Sequence, residues 1–266
     1  MLINTLSLLA IALYLAAAGA MTRPLVSERA PMTRLAMGLA LIALVAHGWV
    51  VFAMHGGKLD FHFFAALSLA AWVIAALTWM VNLSRPVAAL GVVVFPLAAL
   101  FLGIDRFLAP PSHAISLGWQ IKLHVTVALL AFGVLSIAAI VAIGLALQEH
   151  ALRRGHFSRW LRALPPLTLT ESLLFRLIHA GFTLLTLTLF TGIVFVHNIF
   201  AQHLLQKTVL SILAWLVFGA LLWGRWRYGW RGIRAVNLTL VGMAVLVLAF
   251  FGSKLLLEMV LHRSLG

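Results

Sequence analysis

Eight stretches of this chain are long and apolar enough to cross a lipid bilayer as helices, and that feature limits the fold more than any other. They run near residues 2–22, 35–53, 62–83, 87–104, 122–147, 174–198, 208–223 and 235–257. A hydrocarbon core roughly 30 Å thick takes about 20 helical residues to span. In lipid every backbone N–H and C=O must find its partner within the protein, which a helix achieves alone and a strand only in a closed barrel. These runs are too long for barrel strands and do not alternate as such strands do. The expectation is an all-α, polytopic integral membrane protein with about eight transmembrane helices, forming a single transmembrane domain over residues 1–266. Only 9% of the residues are charged, against about 25% in soluble domains, so no sizeable soluble domain is expected.

The formal net charge of +13 invites a nucleic-acid partner. Sorted by loop, the charge has a simpler origin. Thirteen of the nineteen basic residues follow runs 1, 3, 5 and 7 or open run 6: Arg23, Arg29, Arg34, Arg85, Arg153, Arg154, Arg159, Arg162, Arg176, Arg225, Arg227, Arg231 and Arg234. The other side holds six: Lys58, Arg106, Lys122, Lys207, Lys254 and Arg263. Cytoplasmic loops are enriched in Lys and Arg. Both termini are therefore expected on the outer side of a bacterial inner membrane, with no nucleic acid among the partners. The first run lacks the preceding basic residue of a secretory signal and is expected to be a retained helix.

The absence of cysteine leaves no disulfide, thiolate metal site or covalent c-type haem attachment within the chain. No phosphate-binding glycine loop, paired intramembrane carboxylates or nucleophile motif appears, and no enzymatic activity is expected. Ala12, Ala16 and Ala20 form a small-residue stripe suited to helix packing. Pro96 is expected to kink the fourth helix. Thr168 and Glu171 have the spacing of a capping box for the sixth.

The eleven histidines carry the chemistry worth testing. On the proposed topology eight are external: His47, His55, His62, His113, His124, His197, His203 and His262. His47, His124, His197 and His262 fall at a similar depth near the outer ends of their helices, and intramembrane ionisable groups are functional candidates. A neutral imidazole can ligate haem iron axially, hold another metal, or relay protons. The plainer expectation for each is an interfacial histidine with ordinary hydrogen bonds. Lys122 and Lys207, at the outer ends of helices 5 and 7, have the charge to meet carboxylates such as haem propionates, or simply snorkel to water. Glu258, four residues from both Lys254 and His262, has the spacing to pair with either.

The run Lys122 to Phe132 (KLHVTVALLAF), the segment Gly181 to Gly192, the segment Lys207 to Trp215, and the C-terminal FGSK (251–254) and HRSLG (262–266) resemble the cytochrome c assembly family. Within it they are closest to the eight-helix CcsA/HemX and YpjD-like inner-membrane proteins. The resemblance spans about residues 35–266 and is sharpest from 120 onward. It implies external handling of a non-covalent, b-type haem, with His124 and His262 matching the two axial ligands of the iron and Lys207 following the place of a tryptophan-rich segment. The chain departs from the family there, because His197 to Gln206 contains neither Trp nor Asp. An accessory role in cytochrome c assembly or haem biogenesis is therefore expected rather than full synthase activity. The implied partners are the lipid bilayer, other assembly components or an apocytochrome. A cofactor-free structural or regulatory subunit and a small-solute or ion transporter stand as alternatives.

Overall fold

A computed structural model describes residues 2–26, 33–53, 63–84, 88–109, 118–155, 165–195 and 202–252. The described residues form helices α1 (Leu2–Val26), α2 (Thr33–Ala53), α3 (Phe63–Ser84), α4 (Ala88–Phe107), α5 (Trp119–Arg153), α6 (Leu167–Phe195), α7 (Gln202–Tyr228) and α8 (Ile233–Val247), with a π-helical turn over Leu248–Gly252. No strand occurs among them. Eight of these segments are long and apolar enough to span a membrane. The chain is an all-helical, multi-pass membrane protein.

Several helices outrun the apolar stretches that signal them. Helix α5 covers 35 residues, well beyond the roughly 20 that lipid requires. Its last turns carry Glu149 and Arg153, paired at 2.6 Å across one turn. Helix α6 begins at Leu167, where the carbonyl of Pro166 accepts from the N–H groups of Leu169 (2.9 Å) and Thr170 (3.1 Å). Thr168 thus lies inside the first turn instead of capping it. Glu171 does not reach back to that end; its carboxylate crosses to the α7–α8 turn. Pro96 sits within an uninterrupted α4.

The chain divides into two compact units, one built on α1–α4 and one on α5–α8. In the first, α1 packs on α2 and α4, and α3 on α2 and α4. The buried face of α1 is Ser7, Ala10, Tyr14, Ala17 and Met21. Of the alanine stripe expected from four-residue spacing, Ala20 is buried while Ala12 and Ala16 are exposed, so the stripe coincides with the packing face only at its C-terminal end. Alanine occurs all round α1, and spacing alone could not tell which side meets protein. The indole N–H groups of Trp72 and Trp79 donate to the carbonyls of Leu44 (2.8 Å) and Met37 (3.0 Å), tying α3 to α2.

In the second unit α5 packs on α6 and α8, and α7 on α6 and α8. Gly181 lets α6 approach α5 closely, since a Cβ there would fall 2.5 Å from the Leu135 side chain. Beyond α8 the π-helical turn brings Phe250 and Phe251 onto Phe132 of α5, with ring centroids 4.8 and 5.6 Å away. Large apolar side chains such as Ile193 and Leu8 remain exposed, at 72% and 56%, as expected of surfaces that face acyl chains rather than water.

Glu171 is the one charged residue among the buried residues of α6. Arg225 Nη1 donates to its Oε1 at 2.9 Å, and Arg231 Nε to the same oxygen at 3.0 Å. Arg225 also donates to the Trp230 carbonyl at 3.2 Å and lies 4.5 Å from the Phe175 ring centroid. The hydrogen bond to Glu171, then its charge, raise the pKa of the Arg231 guanidinium outside the membrane span. The basic turn expected only to orient the chain therefore also closes α6, α7 and α8 together.

Candidate functional site

Antiparallel packing sets the first turns of α5 beside the last turns of α6. Trp119, the first residue of α5, meets Phe195, the last of α6, edge to face at 5.9 Å. Five residues further into α5, His124 is partly buried. Its Nδ1 lies 3.0 Å from Thr191 Oγ1. The same hydroxyl lies 2.9 Å from the Leu187 carbonyl and 3.0 Å from that of Thr188, one turn back along α6. The imidazole also has a backbone hydrogen bond at Thr188, and no described side chain reaches His124 Nε2.

Gly192 completes this corner. A Cβ there would sit 3.3 Å from Cε1 of His124, so the imidazole rests almost against bare backbone. Thr191 and Gly192 lie inside a segment that carries the family resemblance, but neither attracts notice as a site residue in a leucine- and threonine-rich helix. Further along the α6–α7 seam, Trp215 stacks on Phe182 with centroids 5.5 Å apart, and its indole N–H donates to Thr186 Oγ1 at 2.9 Å.

Lys122 is exposed on the first turn of α5 and Lys207 is partly exposed near the start of α7. His197, His262, Lys254 and Glu258 lie outside the described residues, so the proposed Glu258 pairing and the second axial position do as well.

His47 has different surroundings. It is fully buried in the α1–α4 unit. Tyr14 Oη lies 3.3 Å from its Nδ1 and Ser68 Oγ 3.1 Å from its Nε2. Tyr14 in turn stacks on Phe95 of α4 at 5.9 Å. Tyr14 of α1 and Ser68 of α3 thus engage both nitrogens of one imidazole on α2, with Phe95 of α4 stacked on Tyr14. The sequence rule that flags intramembrane ionisable groups found His47 but not its partners, because Tyr and Ser are common in apolar helices. Among the described residues no three His, Asp or Glu side chains gather as a metal cluster.

The fit of a haem can be judged from His124 alone. One ring nitrogen is anchored, no described side chain reaches the other, an alpha-carbon without a side chain borders the ring, and the Trp119–Phe195 pair closes the same end of the α5–α6 seam. These features suit one axial position, which needs a single imidazole per face.

The fold and this corner define a multi-pass membrane protein with an anchored, one-side-open histidine near the start of its fifth helix. Residues 32–261 match the model of the cytochrome C assembly protein family, and the chain belongs to that family. It is 38% identical over 137 residues to Inner membrane protein YpjD of Escherichia coli (strain K12), covering 52% of each chain. It is 32% identical over 158 residues to an uncharacterized 28.8 kDa protein in the nifR3-like 5' region of Azospirillum brasilense, covering 58% of this chain and 57% of the relative. Cytochrome c biogenesis protein CcsA of Prochlorococcus marinus (strain NATL1A) is 25% identical over 196 residues, covering 60% of this chain and 62% of the relative. The matches to YpjD and to the Azospirillum protein thus span a little over half of those relatives' lengths. No solved structure matches it.

Proposed function

We propose that this protein is a haem-handling accessory protein of cytochrome c assembly in the inner membrane. It would hold a non-covalent b-type haem near the outer surface, with His124 and His262 as the residues that ligate the iron. The observation that carries this is the state of His124, with Nδ1 3.0 Å from Thr191 Oγ1 and Nε2 unengaged by any described side chain. The resemblance to proteins named for cytochrome c biogenesis supports the same conclusion.

His197 is close enough in sequence to the end of α6 to serve as an alternative partner for His262. Lys122 and Lys207 would offer ammonium groups to the haem propionates. His47, with both nitrogens engaged, packs the α1–α4 unit instead of holding iron. When bound, the haem supplies a redox-active iron; the protein binds and orients it and catalyses no step of its own. The partners are the bilayer and other assembly components or an apocytochrome, and both termini face outward.

The test is a reduced-minus-oxidised absorption spectrum of the detergent-purified protein. We expect a Soret band that His124→Ala and His262→Ala remove and His47→Ala, if it folds, retains. An unchanged haem load in the His124→Ala/His262→Ala double variant would defeat the assignment. A second possibility, a cofactor-free subunit, is favoured by the lack of Trp and Asp in His197–Gln206. It predicts no band even after haem addition, with a stable protein partner recovered from haem-free cells.

A further inference from the structure

We infer that Thr191 is a positioning residue that sets the tautomer of His124, placing the hydrogen on Nδ1 and the lone pair on Nε2 before any ligand arrives. The inference rests on the haem reading only in naming what Nε2 is for.

A hydroxyl carries one hydrogen, whereas a carbonyl can only accept. Thr191 Oγ1 has two carbonyls within reach, Leu187 O at 2.9 Å and Thr188 O at 3.0 Å. Its hydrogen is committed to them, which leaves its lone pairs facing the imidazole. His124 Nδ1, at 3.0 Å, must then be the donor. A neutral imidazole has a single ring hydrogen, so Nε2 bears the free lone pair. That is the form a metal needs, and a hydrogen bond from the opposite nitrogen fixes the ring and increases the ligand's basicity.

Gly192 supports the same geometry sterically. A Cβ there would stand 3.3 Å from Cε1 and 3.9 Å from Nδ1, within the space the ring uses to reach Thr191. The adjacent pair therefore works together: Thr191 supplies the acceptor, and Gly192 the clearance. The backbone hydrogen bonds that hold the hydroxyl belong to α6 itself, so the arrangement exists without a ligand.

The experiment uses the full chain, free of haem and labelled with ¹⁵N-histidine, at a pH above the ordinary imidazole range. His124 is assigned by the resonance lost in His124→Asn. We expect a protonated Nδ1 and an unprotonated Nε2 in the wild type, a shift toward a mixture in Thr191→Val, and the wild-type pattern in Thr191→Ser. A wild-type ring protonated at Nε2 overturns the inference, and that result needs no variant to fold. A Thr191→Val spectrum identical to wild type overturns it equally. In haem-loaded protein, loss of the Nδ1 hydrogen bond should weaken electron donation to iron and raise the midpoint potential, with Thr191→Ser holding the original value. An unchanged potential in Thr191→Val would show that the bond does not act on the iron. The expected tautomer pattern in a protein that takes up no haem would uphold the role of Thr191 and defeat the haem assignment instead.

Discussion

Arg225 of α7 donates to the buried carboxylate of Glu171 on α6 at 2.9 Å, across 54 residues of sequence. Arg231 shares the same carboxylate, but its side chain is 61% exposed while that of Arg225 is 32% exposed. Hydrogen bonds to a charged group contribute about 1.5–3 kcal/mol when one partner is buried. Glu171→Gln should therefore destabilise the folded protein by about that amount. Arg225→Ala should cost more than Arg231→Ala, because exposed ion pairs are screened by water. Thermal unfolding in one detergent would check the order; equal losses for the two arginines would contradict it.

Tyr14, His47 and Ser68 should behave as one cluster. Removing the Tyr14 hydroxyl in Tyr14→Phe should cost about 0.5–1.5 kcal/mol, the usual net value of a hydrogen bond. In a double-mutant cycle with His47→Ala, the two changes should couple by at least 0.5 kcal/mol, as residues in contact do. Additive effects within error would mean that the 3.3 Å contact carries no energy.

Gly181 offers a steric test of the α5–α6 seam. A Cβ there falls 2.5 Å from Leu135, and overpacking a filled interface costs typically 1–3 kcal/mol. Gly181→Val should lower the unfolding temperature, and Leu135→Ala should recover part of that loss by making room. If the second change only adds further destabilisation, the two side chains do not compete for one space.

Orientation is testable because the chain has no cysteine of its own. The side chain of Trp226, on the proposed inner side, is 82% exposed, and that of Leu2 is 70% exposed. In spheroplasts, a membrane-impermeant maleimide should label Leu2→Cys directly and Trp226→Cys only after the membrane is opened. The reverse pattern would invert the topology and move His124 to the cytoplasmic face.

Much of the fold was legible in the sequence. All eight spanning helices coincide with apolar runs, although α5 begins at Trp119 and ends at Arg153, beyond the run at 122–147. The ends are hard to place because polar residues such as Gln148, Glu149 and His150 continue a helix once it reaches the interface. His124 could be singled out by residue type, by depth and by family resemblance. Thr191 could not, because it lies 67 residues away among several similar threonines of α6. Glu171 reads as a local cap in the sequence because short spacing is visible there and a partner on another helix is not.

What the sequence by itself determined is the number of helices and their membrane setting, because the penalty for unpaired backbone in lipid acts on each local run. Which sides of those helices meet, and hence which polar groups pair, was decided only by the tertiary structure. Lipid and protein interior are almost equally apolar, so a leucine- and alanine-rich helix carries no pattern that marks its packing face. That is why the exposed Ala12 and Ala16 look like packing residues in the sequence, while the hydroxyl beside His124 goes unnoticed until α5 and α6 come together.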